Sequence, residues 1–270
     1  SCNTTGQYNT GLGYRASRCN TTAQGNAAVG FQSLFYNTTG SYNAALGMYA
    51  LHKNTASSNT AVGYAALICN TSTGGNAAFG NSALYYNTGS NNTGLGYQAG
   101  YANTTGSDNT TIGSQSLRNN TTGSYNVAVG RAALYNNTTG FELLASGYAA
   151  LCSNTTGRAN TAVGYSSLCS NTSGCRNTAV GSQSLKSNTT GIQNTASGYL
   201  SLCFATNASN NTAYGAHSMR KTSSGSYNTA LGSYSLYSNT VGIHNVSIGY
   251  CSLKCSTEAD CNVAVGDYSL

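Results

Sequence analysis

The sequence of 270 residues contains no proline and no tryptophan, and only 6% of its residues are charged. No apolar run approaches the roughly 18 residues of a membrane-spanning helix, so we expect no membrane span. No signal peptide is recognisable, and we expect a mature or trimmed chain. The 11 basic residues stand singly except at Arg220–Lys221, whereas nucleic-acid-binding surfaces cluster such residues. We therefore expect no nucleic-acid partner, with Asn, Ser, Thr and Tyr supplying the polar surface.

Glycine, in contrast, recurs at a fixed spacing of 17 residues, which is twice shortened to 16. The chain is therefore sixteen copies of one repeat, and no run of helix formers is long enough to make these repeats helical. A repeat this short cannot bury a core alone and must stack on its neighbours. We predict a single all-β repeat domain over residues 1–270, a parallel β-solenoid (β-roll). Its coils start at residues 3, 20, 37, 54, 70, 87, 103, 120, 137, 154, 171, 188, 205, 222, 239 and 256.

Numbered from its first Asn, each coil follows the pattern N-T-T-G-x-Y-N-T-A-V-G-Y-x-A-L-x-x. The segment N-T-A-V-G predicts one short strand, and the A-L pair at positions 14 and 15 predicts a second. Positions 10 and 15, which are Val163 and Leu168 in one clean copy, are predicted to point inwards. The small residues at positions 9, 11 and 14 permit either a thin coil or a tight contact with another chain.

Stacking places equivalent residues above one another, about 4.8 Å apart, so sixteen coils predict a rod roughly 75 Å long. The Asn columns at positions 1 and 7 are expected to link their amides from coil to coil, as Asn ladders do in cross-β stacks. Thr columns at positions 2 and 8 are expected to link their hydroxyls in the same way. These ladders would partly replace a hydrophobic core.

The two ends of the sequence match in phase. Leu270 falls at position 15, while Ser1 and Cys2 fall at positions 16 and 17, so a second copy would continue the repeat. An uncapped interface that does not close produces an open filament; the alternative is a fragment cut from a longer repeat protein. The residues expected at a head-to-tail interface are Cys2, Arg15, Arg18, Glu258, Asp260, Asp267 and Leu270.

Ten cysteines are an even number, which favours an oxidising compartment; free thiols in a cytosolic protein are the alternative. Cysteines that share a column in successive coils lie within disulfide range, but others bracket turns within one coil, so the pairing stays open. A link from Cys255 to Cys2 of a second copy is a further hypothesis. The disulfide candidates are Cys2, Cys19, Cys152, Cys169, Cys175, Cys255 and Cys261.

The sequon N-x-S/T is abundant, and a ridge of glycans on the turns is one interpretation of it. The other is that N-T-T is simply a good sequence for ladders and turns. The glycosylation candidates at position 1 are Asn3, Asn20, Asn37, Asn70, Asn103, Asn120, Asn137, Asn154, Asn171 and Asn188.

Catalysis is not expected from this sequence. His52, His217 and His244 stand at variable positions of distant coils, and no paired carboxylates or Ser/His/Asp set accompany them. Gly-x-Gly pairs belong to the repeat and carry no nucleotide signal, and no His/Cys spacing indicates zinc. We therefore expect no enzyme, no cofactor and no metal.

The motif N-T-A-V-G followed by Ala or Ser, as in Asn177–Gly181 and Ser184, resembles the N-S-x-A-I-G repeats of trimeric autotransporter adhesin heads (YadA-like). It is also similar to repeats in phage and large-virus tail fibres. The resemblance implies a left-handed parallel β-roll, often trimeric, that serves in adhesion. The first interpretation is a secreted subunit of an extracellular filament, with copies of itself as partners. The alternative is an adhesin or tail-fibre head that binds a surface glycan or receptor.

Overall fold

Residues 2–270 fold as stacked coils that contain strands and turns only. A computed structural model describes residues 2–270; Ser1 lies outside them. The chain divides into two compact units, Ser1–Thr139 and Gly140–Leu270, with eight three-residue strands in each. The first unit contains β1 (Thr10–Leu12), β2 (Ala27–Val29), β3 (Ala44–Leu46), β4 (Thr60–Val62), β5 (Ala77–Phe79), β6 (Thr93–Leu95), β7 (Thr110–Ile112) and β8 (Val127–Val129). The second contains β9 (Leu144–Ser146), β10 (Thr161–Val163), β11 (Thr178–Val180), β12 (Thr195–Ser197), β13 (Thr212–Tyr214), β14 (Thr229–Leu231), β15 (Val246–Ile248) and β16 (Val263–Val265).

Within each unit, every strand pairs in parallel with the next strand along the chain. In the second unit Thr161 pairs with Thr178 and Ala162 with Ala179, which are residues 17 apart. The first unit pairs in the same way, for example Ala27 with Ala44. Each turn of backbone therefore lies on the turn before it with equivalent residues in register. The predicted parallel β-solenoid is confirmed in both units.

The prediction of a second strand at positions 14 and 15 is wrong, because each coil has one strand. After the strand the backbone turns, and two residues of this turn adopt the left-handed conformation, such as Ser166 and Leu168, both at φ 49°. Left-handed backbone costs an L-residue roughly 1–2 kcal/mol and cannot continue an extended strand. Hydrogen bonds to the next coil and burial of the side chain offset this cost: Leu168 N donates to Ser184 O at 2.9 Å and Leu168 is fully buried.

The core is thin and is built from positions 9, 14 and 15 of each coil. Leu168 and Ala162 are fully buried, whereas Val163 is only partly buried. The inward direction predicted for position 15 is confirmed, but the one predicted for position 10 is wrong. Alternate residues of a strand face opposite sides, and the structure turns position 9 inwards, where only a small side chain fits.

The invariant glycine at position 11 is required by close contact between backbones. Gly181 has φ +126°, and a Cβ atom built there would lie 2.7 Å from the carbonyl oxygen of Gly198 in the next coil. Real side chains essentially never tolerate such a distance to backbone, and the φ value also disfavours an L-residue. Both reasons exclude any other residue, which explains the fixed spacing of the sequence.

Buried asparagines form the predicted ladders. At position 1, Asn171 Nδ2 donates to Asn154 Oδ1 at 2.8 Å, and Asn188 Nδ2 donates to Asn171 Oδ1 at 2.8 Å. At position 7, the side-chain oxygen of Asn160 accepts the backbone N–H of Asn177 at 2.9 Å. These bonds satisfy polar groups that burial would otherwise leave without water. The coils are thus held together by amide hydrogen bonds as well as by apolar packing.

The threonines of position 2 bond differently from the prediction. The hydroxyl of Thr172 donates to the backbone carbonyl of Thr189 at 3.1 Å, and Thr21 donates to the carbonyl of Thr38 at 3.0 Å. The hydroxyls therefore reinforce the backbone stacking instead of forming a chain among themselves.

Candidate assembly faces and surface columns

The outer face of the first coil carries an open pocket. The three residues of β1 are all exposed, and behind them lies a cavity of about 250 Å³. Its lining residues are Asn3, Asn9, Gly11, Ala16, Ser17 and Asn20. The Oγ atom of Ser17 is buried there and has no hydrogen-bond partner within the described residues. This face thus combines the amide groups of asparagines, a small apolar surface formed by Gly11 and Ala16, and enough space for a side chain.

The pocket exists because this coil departs from the repeat at two positions. Position 9 is glycine only at Gly11 and Gly94, and position 15 lacks leucine or methionine only at Ser17 and Gly100. The first and sixth coils therefore share the same pair of small residues. The sequence contains this signal, but its meaning depends on the space around the two positions.

The sixth coil shows what fills such a space. A Cβ atom on Gly100 would lie 2.7 Å from Cδ2 of Leu84, and one on Gly94 would lie 2.9 Å from its Cγ. Leu84 stands at position 15 of the preceding coil and is 1% exposed. A leucine from the coil below thus occupies the room that the two glycines leave. The gap beside Gly11 and Ser17 contains no such leucine and is open.

The outer face of the last coil carries exposed residues at the positions that are buried between internal coils. Leu270, at position 15, is 84% exposed. No atom lies within 4 Å of a Cβ built on Gly266, although the equivalent Cβ on Gly249 would lie 2.6 Å from the Gly266 carbonyl. Val263 and Val265 of β16 are also exposed. This face therefore carries an exposed leucine and an uncovered glycine. At the equivalent positions of internal coils, the leucine and the glycine are covered by the next coil.

The two faces carry opposite charges on exposed side chains. Arg15 lies over the ring of Tyr14, with its Cζ 4.9 Å from the ring centroid, and Arg18 is also exposed on the first coil. On the last coil, Asp267 Oδ1 accepts the backbone N–H of Tyr250 at 2.8 Å, which holds the carboxylate at the edge of the face. The other acids there, Glu258 and Asp260, are exposed as well.

The structure corrects the expectation of a glycan ridge at position 1. Nine of the ten candidate asparagines are buried, with 2% exposure or less: Asn20, Asn37, Asn70, Asn103, Asn120, Asn137, Asn154, Asn171 and Asn188. Attaching a sugar to Nδ2 would remove ladder hydrogen bonds and force the coils apart, so these nine do not suit modification in the folded chain. Asn3 is the exposed member of the ten, and the sequons at Asn91 and Asn207 are also exposed.

All ten cysteines are free thiols in the described residues, so none of the candidate disulfides is formed in this structure. Cys2, Cys255 and Cys261 are exposed; Cys19, Cys152, Cys169 and Cys175 are partly buried. Column stacking is as predicted for two of them: Cys152 and Cys169 stand at position 16 of successive coils, and each thiol shifts the pKa of the other.

A column of rings and cations runs along position 16 of the first unit. Phe35 stacks on His52 with ring centroids 5.3 Å apart, and Tyr85 lies 5.2 Å from Tyr101. Further along, Arg118 Cζ lies 5.3 Å from the Tyr101 ring centroid. No carboxylate stands at position 16 anywhere in the sequence. Aromatic faces flanked by cations suit sugars and anionic groups.

The histidines take part in packing. His52 Nδ1 lies 3.0 Å from Gln32 O, and the His244 ring stacks on Tyr227 at 5.1 Å. Burial, followed by the charge of Arg220, lowers the pKa of His217.

Over residues 2–270 there is no group of three or more His, Cys, Asp or Glu side chains placed to hold a metal ion. Nor do those residues include a helix with the length and apolarity needed to cross a bilayer.

Comparison with family models, with curated proteins and with solved structures gave no match for this chain. The proposals for its function therefore depend on the geometry of the coil faces and surface columns.

Proposed function

We propose that the chain is a structural subunit of an extracellular filament, in which copies stack head to tail through their end coils. The observation that supports this most is the pocket at Gly11 and Ser17, whose counterpart at Gly94 and Gly100 is filled by a leucine of the preceding coil. Leu270 of a second copy is the equivalent leucine. A self-complementary contact of this heterologous kind propagates as an open filament.

The backbone groups of the two faces match as well. Between adjacent coils of the second unit, Val246 N donates to Asn262 O at 2.8 Å, and Gly266 N donates to Ile248 O at 2.8 Å. In a head-to-tail joint, Val263 N would donate to Asn9 O of the next copy by the same register. Each joint then restores a pairing that every internal coil already makes, and it needs no new geometry.

Charge favours the same orientation. Asp267 stands at position 12 and Arg15 at position 13, so stacking brings this acid and this base close together across the joint. Opposite charges at the rim of an interface accelerate association and suppress wrong orientations. If two copies met through their first-coil faces instead, Arg15 and Arg18 of one copy would face the same two arginines of the other, and the like charges would repel.

The exposed thiols Cys255 and Cys2 continue one column across the joint, at position 17 of successive coils. In an oxidising compartment we expect them to link neighbouring copies covalently. Non-reducing gels of filaments should show a ladder of multimers that collapses to monomer on reduction. Cys255→Ser should remove the ladder while filaments remain visible, and a ladder that survives this change would contradict the link.

The direct test is electron microscopy and fibre diffraction of the purified chain, where we expect unbranched filaments with a spacing of about 4.8 Å along the axis. Leu270→Ala removes the side chain that fills the pocket, which costs about 2 kcal/mol for each joint. The critical concentration for assembly should therefore rise by at least about tenfold.

A second change should partly restore assembly. Ser17→Leu in the Leu270→Ala background returns a leucine to the same space, and φ at Ser17 (48°) matches that of Leu34 (50°) in the next coil. The matched control is Leu46→Ala, because Leu46 is half exposed on the side of the coil and lies on neither end face. Equal effects of Leu270→Ala and Leu46→Ala would refute the role of the pocket.

The ring and cation column favours the alternative function, an adhesin or tail-fibre head that binds a surface glycan. Arg118, which lies over the Tyr101 ring, supplies a cation in a column that has no carboxylate, and this suits an acidic sugar. Sedimentation distinguishes the two functions: a filament subunit grows with concentration, whereas a head of the resembled kind stops at a trimer.

A further inference from the structure

Cys152 and Cys169 stand at position 16 of successive coils in the second unit, and both are partly buried. Backbone bonds on both sides hold them in register: Leu151 N donates to Ser167 O at 3.1 Å, and Ser153 N donates to Cys169 O at 2.9 Å. Coils stacked at about 4.8 Å bring equivalent Cα atoms within the 4.4–6.8 Å range of a disulfide. The two thiols can therefore be joined without moving the coils.

The surroundings make the two sulfurs chemically unequal. A hydrogen bond from the Cys152 thiol, assisted by the charge of Lys186 in the next coil, outweighs burial and lowers the pKa of Cys169 to about 7. The same hydrogen bond, together with burial, raises the pKa of Cys152. Near neutral pH, Cys169 is thus substantially thiolate, while Cys152 keeps its proton. Thiolates are the reactive form of cysteine.

The geometry points to a redox-active thiol pair in which Cys169 reacts first with a peroxide and Cys152 then closes a disulfide between adjacent coils. The Cys169 thiolate attacks one oxygen of the peroxide, ROOH; the O–O bond breaks, and the alkoxide leaves and takes a proton to become ROH. Cys169 is then a sulfenic acid. The Cys152 sulfur attacks this sulfur, the S–O bond breaks, and the departing hydroxide takes the Cys152 proton as water. Two thiols are oxidised and one peroxide is reduced.

Cys203 provides the matched control in the same column. It also stands at position 16, but its neighbours in that column are Lys186 and Arg220, so no cysteine stands at position 16 of an adjacent coil. Burial raises the pKa of Cys203. A peroxide should therefore leave Cys203 reduced under conditions that oxidise the pair.

The experiment uses the full chain, reduced and then treated with a limiting amount of hydrogen peroxide. Remaining thiols are alkylated, and the peptides are mapped by mass spectrometry. We expect a Cys152–Cys169 disulfide as the main product, unchanged in Cys203→Ser. In Cys152→Ser the sulfenic acid on Cys169 should persist and react with dimedone, and in Cys169→Ser residue Cys152 should stay reduced.

A pH profile separates this role from simple proximity. At pH 7, Cys169 should be alkylated about tenfold faster than Cys203, with a midpoint near its lowered pKa. Cys152→Ser replaces the thiol donor, so the midpoint should move upwards. The proposal is overturned if Cys203 is oxidised as readily as Cys169, if Cys169 pairs mainly with Cys175, or if the midpoint is the same in Cys152→Ser.

Discussion

Gly181→Ala is expected to destabilise the second unit by at least about 2 kcal/mol, by two mechanisms that add. Residues forced into glycine-only backbone regions cost about 1–3 kcal/mol. The new methyl group would also lie 2.7 Å from the Gly198 carbonyl oxygen, and overpacking of this kind costs about 1–3 kcal/mol. Urea unfolding followed by circular dichroism measures the loss as a lower midpoint.

Gly266→Ala separates these two costs. Gly266 has φ +122°, close to the +126° of Gly181, but no atom lies within 4 Å of a Cβ built on it. It should therefore show the conformational strain without the collision, and only in the last coil. If both variants unfolded at the same urea concentration, close backbone contact would not be what requires glycine at position 11.

Gly266→Ala is also expected to abolish head-to-tail assembly while the subunit stays folded. In a stacked joint, the added methyl group would meet Gly13 of the next copy, just as a Cβ on Gly249 would meet the Gly266 carbonyl at 2.6 Å. Because the obstacle is backbone, which cannot swing aside, the collision prevents the joint from closing. Monomers should persist at concentrations where the unmodified chain forms filaments.

The measurement is light scattering against concentration, with electron microscopy of the end point and circular dichroism as the check of folding. Leu46→Ala serves again as the control on the side of the coil, with assembly unchanged. Filaments of normal yield from Gly266→Ala would mean that copies do not join by continuing the coil stack, and the proposed function would then be withdrawn.

Much of the fold could be predicted from the repeat. The spacing of glycines such as Gly164 and Gly181 implied stacked coils, and the Asn columns through Asn154 and Asn171 implied ladders, because identical residues at one height can only bond along the stack. The inward direction of Leu168 followed from its being the one large apolar residue in the turn.

Other features could not be predicted, because local pattern does not report which side of a strand faces the interior. Ala162 and Val163 are neighbours, and a rotation of one residue exchanges their environments. Leu168 looked like a strand residue, yet its left-handed backbone ends the strand. The abundance of sequons suggested a ridge of glycans. Only the burial of the asparagine side chains showed that they form hydrogen-bonded ladders between coils instead.

The amino-acid order alone was sufficient to establish the period, the parallel stacking and the columns, since each follows from a residue type repeated at one interval. Three-dimensional packing decided what fills the space between coils: Leu84 enters the gap beside Gly94 and Gly100, and the same gap beside Gly11 and Ser17 is open. The physical reason is that periodicity specifies which residues meet, whereas volume and burial depend on all the atoms around them.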